Sequence, residues 1–195
     1  MARPREFDEN AVLDAAVKCF WQRGFAATSV RDLADEMGIA GASLYNAFGD
    51  KRGLFRAALD RYYSQSFGDR VLRFEHRLPP RQAISAFFGE IIERSLNDKE
   101  RKGCLLVNSA VELASHDRGS RRAIEAILSE MEDFFRRCAL AGQADGSIST
   151  GQTAEDFGRL LLGVLIGIRV ISRTRPERAL LEGMIGPVYA LLDDV

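Results

Sequence analysis

Apolar residues recur along this chain with a helical period almost from end to end. Leu13, Ala16, Val17 and Phe20 follow the i, i+3, i+4, i+7 spacing of an amphipathic helix, which Gly24 ends. A second helix is signalled between Thr28 and Gly38. Ser29 with Asp32 three residues later is a capping-box pair, and Gly38 can take the left-handed conformation just past the helix end. A short segment, Gly41 to Phe48, follows after two residues. Gly49 and Asp50 then cap a longer helix that begins near Lys51 and runs through Leu54, Phe55, Ala58, Leu59, Tyr62 and Tyr63. Pro79-Pro80 marks the next break, and helices over 80–96 and 103–115 flank the polar stretch Asn97 to Lys102. From Ile124 the positions Ile127, Leu128, Met131, Phe134, Phe135 and Cys138 form one stripe, and Gly142 to Ser147 reads as a turn-rich loop. Helices over 153–173 and 177–192, parted around Arg175-Pro176, complete the pattern. The expected fold is all-α, with an N-terminal three-helix head over residues 1–50 and a larger helical body over 51–195.

Composition supports a packed protein of this kind. The 195 residues are 46% hydrophobic and 28% charged, enough for a sizeable core and unlike a disordered chain. Lys plus Arg number 27 against 28 Asp plus Glu, so the net charge of −1 excludes a histone-like polycation. The first sixty residues are no more basic, with eight cations against nine acids. Any attraction to nucleic acid must therefore come from placement.

The N-terminus has no apolar core suited to secretion, and the longest apolar run, Leu160 to Ile168, is nine residues with two glycines. A membrane span needs about 20, so a cytoplasmic protein without membrane attachment is expected. Three scattered cysteines, Cys19, Cys104 and Cys138, fit a reducing compartment and no disulfide framework. With only His76 and His116 as imidazoles and no ligand spacing, neither a metal site nor a cofactor is expected.

The first sixty residues carry the chemistry. Two short helices joined by a tight turn, with a third before them, make a helix-turn-helix unit. Leu33, Ala34 and Met37 give the first of the pair its inward face, Ile39 plugs the corner, and Leu44 and Phe48 anchor the second. Ala42, Ser43, Tyr45 and Asn46 are left for its other faces, a surface slender enough for a DNA major groove.

The run Thr28-Ser29-Val30-Arg31-Asp32-Leu33-Ala34, then Gly38-Ile39, then Ser43-Leu44-Tyr45-Asn46-Ala47-Phe48-Gly49-Asp50-Lys51 resembles the DNA-binding head of the TetR/AcrR family of transcriptional regulators. The resemblance spans residues 8–56. It implies a homodimer whose two heads enter successive major grooves of a palindromic, double-stranded operator. It further implies that Ser29 and Tyr45 hold phosphates and that Lys51 binds phosphate with its charge and the neighbouring amides. Arg31, Ser43 and Asn46 are the candidates for base readout, since Arg suits guanine and Asn adenine. Each also has a plainer reading: Ser29 as an N-cap, Tyr45 as a half-buried core edge, Arg31 as a solvated charge, Lys51 as a surface lysine. Gly41, Ala42 and Ala47 offer few reading groups, so specificity leans on Arg31, Asn46 and DNA shape. Arg3 and Arg5 add either an arm on the DNA or a solvated tail.

The same resemblance assigns dimerisation and the sensing of a small-molecule effector to the body. The helix holding Leu160 to Ile168 is apolar almost all round, and Gly163 and Gly167 would let another backbone approach. Leu181, Met184, Val188 and Leu191 make a packing seam on the last helix, so these two helices are expected to pair across a dimer; an intrachain core is the alternative. Phe87, Phe88, Leu105, Leu106, Phe134 and Phe135 are either pocket or core. Cys104, Asn108 and Glu112, four apart, are expected to share one helical face as a ligand-facing stripe. Gly-Cys at this helix start resembles a family branch that senses electrophiles or oxidants through a cysteine, and a helix N-terminus activates a thiol. The simpler reading of Cys104 is a small buried residue. A thiol enzyme is disfavoured, because no general base is placed beside Cys104 and no glycine-rich cofactor loop appears. The reading is therefore a ligand-responsive regulator, most plausibly a repressor, and no enzyme.

Overall fold

A computed structural model describes residues 7–194, so Arg3 and Arg5 lie outside the described residues. Those residues form ten α-helices and no strand. α1 (Glu9–Arg23), α2 (Val30–Met37) and α3 (Gly41–Phe48) make the head. α4 (Lys51–Tyr63), α5 (Asp69–Phe74), α6 (Pro80–Leu96), α7 (Leu105–Leu113), α8 (Arg118–Asp145), α9 (Ala154–Ile171) and α10 (Arg178–Asp193) make the rest. No helix among the described residues is long and apolar enough to cross a membrane.

Local signals start and stop the head helices. Asp8 caps α1 through the amides of Asn10 and Ala11. At α2 the capping box is complete: the Asp32 amide donates to Ser29 Oγ at 3.0 Å, and the Ser29 amide donates to Asp32 Oδ2 at 2.8 Å. Gly38 ends α2 at φ 65°, a conformation a side chain would resist. Leu33 and Leu44 bury completely or nearly so between α1 and α4, holding the two helices of the motif at their angle.

α4 serves both halves of the molecule. Its first turns complete the head core, with Phe55 edge-on to Phe20 at 5.2 Å and to Phe25 at 5.3 Å. Beyond Tyr63 the chain stays helical through a π turn, Ser64–Gly68, and then α5, so the helix continues to Phe74 where the apolar pattern alone carried it only to Tyr63. In the body, Phe87 and Phe88 of α6 meet Phe134 and Phe135 of α8 with ring centroids 5.1–5.6 Å apart. All four side chains are wholly buried; Phe88, Phe134 and Phe135 are core, while Phe87 also borders an internal cavity. α9 lies along α8, where Gly158 leaves no room for a Cβ: it would stand 3.1 Å from the Glu132 carbonyl.

Three sequence expectations are corrected here. The loop expected over 142–147 begins only at Gly146, because Gly142 is a packing site, covered by Ile148 and accepting that residue's amide at 3.0 Å. Helix α7 starts at Leu105, which leaves Cys104 as its extended N-cap residue outside the helix. The seam on α10 also divides. Leu181 and Val188 bury within the chain together with Ile185 and Leu192, at spacings of four, three and four, while Leu191 is 46% exposed and Met184 only partly covered.

Candidate functional site

α3 presents its polar side outward. Ala42 and Asn46 are exposed, Ser43 is half-buried and Tyr45 is 51% exposed. No hydrogen bond within the described residues engages the side chains of Ser43, Tyr45 or Asn46. Ala40, the N-cap residue of α3, has no side-chain bond to the helix; its carbonyl accepts the Ser43 amide at 2.9 Å, and the Gly41 and Ala42 amides have no partner among the described residues. Tyr45 borders a small cleft with Asp50 and Lys51, at the start of α4.

The other head residues sit in more defined company. Ser29 Oγ donates its proton to Asp32 Oδ2 at 2.6 Å, so the N-cap reading is realised and a phosphate contact requires that proton to turn away. Arg31 is 91% exposed and only 3.8 Å from Asp35 at its nearest, a weak solvated pair. Lys51 is half-buried with Nζ over the Phe25 ring, 4.3 Å from its centroid, and burial draws its pKa downward. Arg52 turns back to Asp117, the N-cap of α8, at 3.4 Å, so it does not project freely from the head. Lys18 and Arg23 are likewise paired, with Glu36 at 2.6 Å and Asp32 at 3.5 Å.

The polar stripe on α7 comes apart, with Cys104 on one side and Asn108 and Glu112 on another. The Glu112 carboxylate reaches across to the head, accepting the Phe25 amide at 3.0 Å and the Ala26 amide at 2.7 Å. Gly24 makes that approach possible, since at φ 78° a Cβ there would lie 3.0 Å from Glu112 Oε2. Asn108 donates to the Lys102 carbonyl at 2.9 Å and accepts from Arg173 at 3.2 Å. Only Cys104 faces the internal cavity. The shared face fails because Cys104 precedes the helix, and because Asn108 and Glu112 border an open cleft against α1 instead. No sequence signal announces the Glu112 contact, which joins residues more than eighty positions apart.

The cavity lies between α4, the π turn, α6, α7, α8 and α9. It is narrow, with a cavity volume of about 40 Å³, so a small organic molecule must part its walls to enter. Phe67, Phe87, Leu128, Met131 and Leu165 supply apolar wall, while Tyr62, Arg70, Cys104 and Arg169 supply polar groups. The Tyr62 hydroxyl donates to Cys104 Sγ at 3.6 Å, and burial pushes that phenol well above its ordinary pKa. Cys19 and Cys138 are buried away from the cavity, and burial pushes the Cys138 thiol up to about 12. Tyr62 in turn meets Trp21 of α1 edge-on at 5.0 Å. The cavity wall and the head thus touch through one pair of rings.

Comparison with known proteins matches both halves of this architecture. Residues 12–58 match the family model of bacterial regulatory proteins of the tetR family, and residues 80–184 match that of the tetracyclin repressor-like C-terminal domain. The HTH-type transcriptional regulator YezE of Bacillus subtilis (strain 168) is 34% identical over 99% of this chain and 100% of its own length. The HTH-type transcriptional repressor ComR of Escherichia coli (strain K12) is 28% identical over 94% of this chain and 86% of its own. Among solved structures, a cysteine mutant of the TetR family regulator CifR, complexed with 26-bp double-strand operator DNA, is 30% identical. It superposes with a TM-score of 0.85 over 98% of this chain and 100% of that chain. With its head, body and full length all matched, the chain belongs to the TetR family of DNA-binding transcriptional regulators.

Proposed function

We propose that the protein is a homodimeric repressor that holds a palindromic operator with two heads and lets go when its body cavity is occupied or Cys104 is modified. The observation that carries this reading is the open face of α3. Ala42, Tyr45 and Asn46 are exposed and Ser43 is half-buried, with no side-chain hydrogen bonds among the described residues, close to Lys51 at the start of α4, in a chain similar to a regulator solved on its operator. In this reading Tyr45 and Lys51 touch phosphate, and Ser29 joins them when its hydroxyl turns from Asp32. Arg31, Ser43 and Asn46 read base edges, and the Ala42 methyl packs against a thymine methyl.

The dimer forms through the outer sides of α9 and α10. Leu160, Val170 and Leu191 are exposed apolar residues there, and Gly163, Gly183 and Gly186 leave open space along the same helices. Release needs only that the effector prefer a body conformation whose heads no longer fit two successive grooves. Asn108 and Glu112 act in this scheme by tying α7 to its surroundings, Glu112 to the head itself. At Cys104 a soft electrophile would react by net addition of S–H across an activated double bond, after the Tyr62 hydroxyl gives up the sulfur.

A gel-shift titration of the full chain against the DNA flanking its own gene tests the reading. Specific binding that weakens as salt rises is expected. Failure to bind any such fragment even at low salt would sink the proposal.

A further inference from the structure

The cavity carries more positive charge than its own walls balance. Arg70, Arg94 and Arg169 line it, and no aspartate or glutamate does. Arg70 pairs with Glu90 at 2.9 Å, and Arg73 shares that carboxylate at 2.7 Å while also pairing with Asp69 at 2.8 Å. Arg94 has no acidic partner among the described residues. Arg169 is the sharpest case. It is only 9% exposed, and its guanidinium donates to Ser95 Oγ at 2.8 Å and to the Gly103 carbonyl, both neutral acceptors.

An arginine held in a protein interior without an anion carries a desolvation cost that neutral hydrogen bonds only partly offset. A fully apolar ligand would deepen that cost by displacing water around the guanidinium. An anionic ligand would relieve it. The Tyr62 phenol lines the same cavity as Arg169 and Arg70, and its O–H, donated to Cys104 Sγ at 3.6 Å, can turn to an anionic ligand. The rest of the wall is aromatic and aliphatic.

We infer that the cavity binds a small organic anion, a carboxylate or like oxyanion on a compact apolar body, with its charge held by Arg169 and the Tyr62 hydroxyl. The apolar body lies among Phe67, Phe87, Leu128 and Met131. This names the effector class within the proposed function. It is tested without DNA, so its failure leaves operator binding untouched.

The experiment titrates the full-length protein with benzoate and phenylacetate, each beside its neutral amide, by calorimetry and by the emission of Trp21. That residue is the sole tryptophan and meets Tyr62 at 5.0 Å, so filling the cavity should move its signal. At least one carboxylate is expected to bind saturably and tenfold or more tighter than its amide. Arg169→Met is expected to abolish that preference. Absence of carboxylate binding, equal binding of the amides, or a preference that survives in Arg169→Met overturns the inference. Should Arg169→Met fail to fold, Tyr62→Phe decides. It should weaken the carboxylates several-fold and leave the amides unchanged, and an unchanged carboxylate affinity would overturn the inference equally.

Discussion

Asn46 and Lys51 separate the two kinds of contact a DNA reader makes. Asn46 is exposed with a free amide, so Asn46→Ala should alter the ranking of operator variants at one position by about 1–3 kcal/mol. Lys51→Ala should instead weaken binding to every sequence alike and reduce the salt slope by about 1. Fluorescence polarisation over a set of operator variants and salt concentrations distinguishes the two, and a uniform loss for Asn46→Ala would refute its readout role. The capping box was legible from residue types alone, because Ser29 and Asp32 lie three positions apart and the interaction is local. The Ser29 hydroxyl and amide hold the Asp32 carboxyl below its ordinary pKa. A carboxylate so depressed adds stability above its unfolded value and loses it as pH falls through the folded one. Unfolding midpoints should therefore drop below pH about 4, and less steeply in Asp32→Asn. Of the three thiols Cys104 lines the internal cavity, so brief alkylation of the native protein followed by peptide mapping should label Cys104 before Cys138 or Cys19.

At the scale of elements, α7 joins the cavity to the head. Cys104 stands at its start and Glu112 near its end, with the carboxylate on two amides of the α1–α2 connection. Glu112→Ala leaves those amides without this acceptor, and a loss of about 1–3 kcal/mol in urea unfolding is expected. The same variant should bind operator but respond weakly to any effector, which a binding assay with and without ligand reads out. Periodicity made Glu112 visible as a polar position on an apolar helix. Its partners were invisible, because backbone amides carry no sequence signature and these are distant along the chain. Gly142 was misread for a related reason. A glycine that breaks a helix and one that admits a neighbour look alike until Ile148 is seen lying on it.

For the whole molecule, the outer faces of α9 and α10 decide whether two heads act together. Gly163 has open space around its missing Cβ within the protomer, so Gly163→Leu should raise helix stability by about 0.5–1 kcal/mol while obstructing a close partner. Sedimentation should then find a monomer that unfolds no earlier than the parent protein and binds operator poorly; an intact dimer would place the interface elsewhere. The sparse free charge of the head makes that pairing matter, since Lys18, Arg23 and Arg52 already have acidic partners. The π turn between α4 and α5 has a further consequence, best put as a matter of frame. Buried positions run Phe55, Leu59 and Tyr62, then step five places to Phe67 and on to Arg70, where an uninterrupted α-helix would have turned Ser66 and Asp69 inward. The turn inserts one surplus residue, and everything after it is read one place late. Deleting a single residue within 64–66 would restore the regular frame while keeping Phe67 and Arg70 on the buried face, and would leave the head's sequence untouched. A relative lacking that residue would keep both its operator and this wall of the cavity.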